Sequence, residues 1–239
     1  MINRNIIFII AVFFYSGITA SKAQVGIRAG IGVSDIIIDK DIQSQYLGYE
    51  DNLLDQSRPL VALSAGVFGN FRIFEALDLQ PELFYLTQGT RLKSDFIYDN
   101  ITYKISINYL HLPLLLNGKF LPGKKWHPRI LAGPYISYKL KATKSIETNN
   151  IMKKEDFPTV KNYDLGIIGG MAFDFDLKKG QVIVDMRASY SLINTMDKMD
   201  ASIPPFRSPE KERARNTCIT FSLGYRWGPF LYKNKQDYD

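Results

Sequence analysis

From Tyr163 to Leu192 the chain alternates apolar and polar positions with period two through two consecutive runs. In the first, Tyr163, Leu165, Ile167, Gly169, Met171, Phe173 and Phe175 alternate with Asp164, Gly166, Ile168, Gly170, Ala172, Asp174 and Asp176. In the second, Val182, Val184, Met186, Ala188, Tyr190 and Leu192 alternate with Ile183, Asp185, Arg187, Ser189 and Ser191. Successive side chains of a strand point to opposite faces, so this pattern predicts two strands with one oily and one polar face. Asp176 to Gly180 is a short turn between them. Both runs are longer than ordinary globular strands, and the oily set ends in aromatics, as in a barrel strand surrounded by lipid.

The same alternation recurs along the chain. It predicts strands over Gln24–Val33, Leu60–Arg72, Leu77–Tyr85, Ile101 to about Gly118, Arg129–Leu140 and Arg215–Trp227. Within Ile101–Gly118 the oily parity switches, from Tyr103, Ile105 and Ile107 to Leu110, Leu112, Leu114 and Leu116. A bulge near Asn108-Tyr109 is expected to re-register that strand. The segments Ser34–Ser57, Lys141–Val160 and Asn194–Ala214 read as long polar loops, and Gln88–Asn100 as a loop or an extended hairpin rim. Short and long connections therefore alternate around eight strands. The expected fold is all-β, an eight-stranded antiparallel up-and-down transmembrane β-barrel with tight periplasmic turns and long outer loops.

The first residues fit export. Asn3 and Arg4 precede an apolar run from Ile6 to Phe14, followed by Ser21-Lys22-Ala23. This predicts a signal peptide over residues 1–23, a barrel domain over 24–227 and a C-terminal tail over 228–239. The apolar run is too short for a spanning helix. Loss of Arg4 and Lys22 would lower the net charge of +6 to +4, which together with export gives no case for nucleic acid. Cys218 is the single cysteine, so no disulfide forms within the chain.

Which face points inward decides between a membrane barrel and a soluble calyx. The polar set is rich in Gly and Ala, which suits the narrow inside of an eight-stranded barrel. Tyr85, Tyr138, Tyr163, Tyr190, Tyr225 and Trp227 lie on the oily set near strand ends, where interfacial girdles belong. The interior then holds Arg28, Glu82, Asp164, Asp174, Asp185, Arg187 and Arg226, and buried ions must pair. The expected arrangement is a lumen plug in which Glu82 and Asp185 neutralise Arg28, Arg187 and Arg226, with filling rather than transport as its role.

Asn108–Leu116 (NYLHLPLLL), Leu131–Tyr138 (LAGPYISY) and Leu79–Gln88 (LQPELFYLTQ), followed by Phe221-Ser222-Leu223-Gly224-Tyr225, resemble in order and spacing the PorT-like outer-membrane β-barrel family of Bacteroidetes-type bacteria. That resemblance implies an eight-stranded outer-membrane barrel inserted by the barrel-assembly machinery, and one family member is associated with secretion of exported proteases. It implies no catalytic motif. The chain departs from the pattern in continuing past Trp227, through Pro229 to Asp239.

The sequence carries no catalytic or metal-ligating motif. His111 and His127 have no Cys or carboxylate at ligand spacing, so no metal and no cofactor is expected. The outer loops hold no histidine, removing the commonest general base. Lys139, Lys141, Lys144, Arg207, Lys211, Arg213 and Arg215 could meet lipopolysaccharide phosphates. The function expected is structural or partner-binding, through an unidentified protein at the outer loops, in contact with outer-membrane lipid and lipopolysaccharide. A lipid-modifying outer-membrane enzyme and a soluble periplasmic lipocalin-like calyx are the alternatives.

Overall fold

The computed structural model describes residues 23–38, 57–74, 76–96, 99–120, 126–148, 151–196 and 214–227. The expected signal peptide, apart from Ala23, the expected tail and most of the first and last outer loops lie outside the described residues. Among the described residues nine strands occur in chain order: β1 Ala23–Ile38, β2 Ser57–Phe74, β3 Leu77–Phe96, β4 Asp99–Lys119, β5 Trp126–Thr148, β6 Ile151–Asp156, β7 Tyr163–Leu177, β8 Gly180–Ser191 and β9 Ala214–Trp227. All pairings are antiparallel. β4-β3-β2-β1-β9-β8-β7-β5 run in that order and β4 pairs back with β5, closing a barrel of eight strands. Closure leaves no sheet edge for lipid to meet, the condition for a sheet to cross a membrane.

The two faces point as the alternation requires. Leu223 (62 % exposed), Val61 (63 %) and Phe221 (58 %) face out, while Arg28, Asp185 and Arg187 are buried. A contiguous oily belt of this kind would be a liability in water and is the normal exterior in lipid. The residue order that would make a soluble calyx is thus reversed.

Aromatic residues bound the belt. Tyr85, Leu110, Tyr138 and Tyr163 form one cross-strand row. Trp126, Phe175, Val182 and Tyr225 form another nearer the short turns. On β5 the two rows are about twelve residues apart, about 40 Å along the strand and roughly 30 Å along the membrane normal at the usual tilt. That matches a bilayer core.

β3, β4 and β5 are 20, 21 and 23 residues long. A crossing needs only about 9–11 residues, so these strands continue well beyond the outer girdle. There β5 leaves β7 and pairs with β6 over Thr143–Thr148. The extension corrects two sequence expectations: β1 runs on to Ile38, inside the expected first loop, and most of Lys141–Val160 is the β5–β6 hairpin. Of the two readings of Gln88–Asn100, the extended hairpin rim is the one observed, with β3 pairing β4 out to Phe96 and Asp99. Polar strands of this length read as loop from the pattern because no oily face is needed above the lipid.

The register slips between Asn108 and Tyr109, where expected, but the extra residue is Leu140 on β5. β4 itself keeps one parity: Ile105, Ile107, Tyr109, His111, Leu115 and Asn117 all point inward and are buried. The switch in oily parity along β4 marks a lumen that turns apolar near its outer mouth, and the re-registering happens on the neighbouring strand. Inward glycines let the wall close tightly. A Cβ at Gly133 would come within 2.0 Å of the Leu114 carbonyl, and one at Gly66 within 2.1 Å of the Leu83 carbonyl. Both are backbone obstacles that cannot give way.

Candidate functional site

The lumen is built in tiers, each set by which strands place an even or odd residue inward at one height. In the central tier Glu82 of β3 accepts from Arg28 of β1 at 3.0 Å and from Arg187 of β8 at 2.8 Å. Asp185 of β8 lies 3.2 Å from Arg28 and 3.0 Å from Arg187. Two carboxylates and two guanidiniums cancel in charge. Gln80 donates to Glu82 at 2.6 Å, and the Arg28 guanidinium stacks 4.2 Å above the Phe84 ring. All these side chains are buried. Charges removed from water on this scale hold only when each meets a partner of opposite sign and its remaining lone pairs are bonded.

The sequence expectation joined Arg226 to this group, and the geometry does not. Arg226 sits two residues nearer the periplasmic end of β9 than Gly224, the residue level with Arg28. It pairs with Asp174 of β7 at 2.5 Å and donates to Gln181 of β8, its cross-strand neighbour. Arg129 of β5 takes the other Asp174 oxygen at 2.8 Å. Asp78 of β3 accepts from Asn70 at 2.7 Å and pairs with Lys119 at the end of β4. Arg129 and Asn117 both donate to the Gln80 carbonyl, each at 3.3 Å, tying this lower tier to the central one. Arg129, Lys119 and Asp78 were the members that reading the sequence missed. Arg129 and Lys119 stand at strand ends beside turns, where a cation looks solvated; only parity with Leu131 and Asn117 marks them as inward.

Above the central tier the polar groups are mostly neutral. His111 and Ser137 share a hydrogen bond of 2.7 Å. Asp164 accepts from Ser191 at 2.5 Å and from Asn216 at 3.1 Å, and Asn216 also donates to the Tyr109 hydroxyl at 3.1 Å. An apolar cluster of Phe68, Leu115, Leu131, Tyr135, Ile168, Ala172 and Ile183 fills space among the charged tiers.

The outer mouth is stoppered. Phe157, Val160 and Met196 fold inward against Ile36, Ile105, Ile107, Tyr109, Ala142 and Ala214. The two covering segments are pinned by a Val160–Met196 bridge and by backbone bonds from Phe157 to Ala142 and from Lys161 to Thr195. Lys139 donates to the Val160 carbonyl. Reading Lys141–Val160 as a solvated loop concealed this cap. The only warning was the pair Ile105 and Ile107 on the inward parity.

His127 lies beside Asp176 at 3.1 Å, and Cys218 is buried on the inner face of β9. Among the described residues no group of three or more His, Cys, Asp or Glu is placed to hold a metal. Of the outer cations, Arg215 donates to the Tyr190 hydroxyl at 2.8 Å and Lys141 lies 3.9 Å from Asp156. Lys144 is buried. Arg207, Lys211 and Arg213 lie outside the described residues. On β6 Lys153 and Glu155 pair at 2.6 Å, and that bond raises the lysine pKa and lowers the glutamate's. Among the described residues, the side chains of the lumen fill the bore and the segments around Phe157, Val160 and Met196 cover its outer mouth.

The profile of the outer membrane protein beta-barrel domain family matches residues 14–197. No curated protein sequence matches the chain. Among solved structures, OprG from Pseudomonas aeruginosa is 13 % identical with a TM-score of 0.48, over 87 % of this chain and 98 % of that one. Neisserial surface protein A is 10 % identical with a TM-score of 0.40, over 86 % and 97 %. The attachment invasion locus protein Ail of Yersinia pestis is 10 % identical with a TM-score of 0.34, over 86 % and 99 %.

Proposed function

From the premise that the chain belongs to the outer membrane protein beta-barrel domain family, and so resides in a Gram-negative outer membrane, we propose that it conducts nothing through its lumen, catalyses no reaction, and acts by presenting its outer extension to a protein partner. The observation that carries this reading is the filled interior. Glu82 and Asp185 lock Arg28 and Arg187 across the bore, while Phe157, Val160 and Met196 close the outer mouth. An eight-stranded barrel is only wide enough for such filling. Recognition then falls to the parts held above the membrane on a rigid wall. Insertion by the barrel-assembly machinery belongs to the same proposal. The PorT-like motif order supports placing the chain near that branch of barrels, and a role in protein export would run through the same extension.

Three measurements test the reading. The refolded protein in planar bilayers is expected to give no stepwise current, and steady ohmic steps would overturn the sealed lumen. A photoreactive residue at Met152, exposed on β6, is expected to capture one recurrent protein in cells. Lipid A from cells overproducing the protein should keep its mass; a shifted mass would instead favour the lipid-modifying enzyme.

A further inference from the structure

Above the outer girdle the pairing register brings four cations into one line across five strands. Arg58 of β2 stands opposite Arg91 of β3, Arg91 opposite Lys104 of β4, Lys104 opposite Ser145 of β5, and Ser145 opposite Lys154 of β6. Residues paired across a ladder share a face, and all four cations are exposed. The face is the outward one: Lys104 has the parity of Leu114 and Leu116, and Arg91 that of Tyr85, all of which point away from the lumen. None of the four has an ion-pair partner among the described residues. Their nearest described same-face neighbours along β3 and β4 are Gly89, Thr102 and Ser106, with no carboxylate. Among the residues whose side chains are described, acids flank the line only at its β5–β6 end, where Glu147 and Asp156 stand and Asp156 already meets Lys141.

Like charges directly opposite on neighbouring strands destabilise a sheet. Three cations in consecutive register, Arg58-Arg91-Lys104, with no carboxylate set between them, make a surface that gains from a bound polyanion. Its height narrows the choice. Arg91 lies six residues beyond Tyr85 of the girdle, about 20 Å along the strand and roughly 15 Å above the membrane interface. The row therefore faces sideways into the layer just above the lipid headgroups, not up into the medium. Arg58, Arg91 and Lys104 follow one another at about 5 Å, the spacing of adjacent strands, and Lys154 lies two strands beyond Lys104, at about 10 Å; the shorter step is comparable to the length of one sugar residue.

We infer that the Arg58-Arg91-Lys104-Lys154 row binds the phosphate- and carboxylate-bearing core oligosaccharide of lipopolysaccharide in the surrounding outer leaflet. Charge complementarity, lateral orientation and height all point to that occupant. This row shares the outer extension with the proposed partner surface, but its occupant is lipid-borne sugar, so either proposal can fail without the other.

The test uses the full mature protein folded in detergent, with folding of each variant checked by heat-modifiable gel mobility. Binding is measured for lipopolysaccharide with a complete phosphorylated core and for lipid A alone. The core is expected to tighten binding at least ten-fold at low salt, with the gain shrinking as salt screens it. The double variant R91Q/K104Q, and separately R58Q/K154Q, should lose most of that gain. K153Q, on the opposite face of β6, should keep it. No gain from the core, an equal gain in wild type and the double variants, or tighter binding of a soluble heparin oligosaccharide than of core-bearing lipopolysaccharide would overturn the inference.

Discussion

Glu82 shows how much a single buried side chain carries here. It is the one carboxylate that touches Arg28 and Arg187 while also accepting from Gln80. Truncating it leaves two guanidiniums sharing Asp185 alone. Removing one member of a buried pair typically costs about 3–5 kcal/mol. Glu82→Ala is therefore expected to lower unfolding stability in urea by about that amount. A loss within 1 kcal/mol would mean that water reaches the tier. On the other face the sign of the environment can be tested directly. Met171 is half exposed and lies in one row with Met186 and Phe221, between the girdles, eight residues from Tyr163 and four from Phe175. In lipid, Met171→Arg should cost about 2–4 kcal/mol; on a water-facing surface the same change would be nearly neutral. Parity made Arg28, Glu82, Asp185 and Arg187 legible as inward residues from the sequence alone. It could not say which would meet, because barrel stagger sets relative height, and that is why Arg226 belongs with Asp174.

Among the elements, the eight crossing strands were readable because lipid demands an unbroken oily face. What lies above the lipid was not. β6 and the outer halves of β3, β4 and β5 have no such constraint, and their charged, alternating sequence reads equally as loop. The β5–β6 hairpin adds nothing to closure, since β5 pairs β4 on one side and β7 on the other. Replacing residues 146–152 with a short Gly-Asn turn is expected to leave a barrel that still shifts on a gel upon heating. Loss of the shift would show that the arm is needed for folding. The cap is different. Phe157 packs against Ala142 and the inward isoleucines of β4, so Phe157→Ala is expected to cost about 3 kcal/mol or more, read in the same urea unfolding assay.

For the whole molecule, one physical requirement organises everything above: the exterior dissolves in hydrocarbon because the charges are gathered and neutralised inside. Family membership places the chain in the outer membrane, and its own geometry supplies the girdles and the sealed bore. The most direct test is to attach nitroxide labels one at a time along β7, in a Cys218→Ser background, and reconstitute each protein in lipid vesicles. Collision with oxygen and with a water-soluble nickel chelate is then measured at each site. Labels at Leu165, Ile167, Met171 and Phe173 should collide with oxygen and be shielded from nickel, while those at Ile168 and Ala172 should be shielded from both. Nickel reaching Leu165 and Met171, or oxygen and nickel reaching the two sets without alternation, would contradict it.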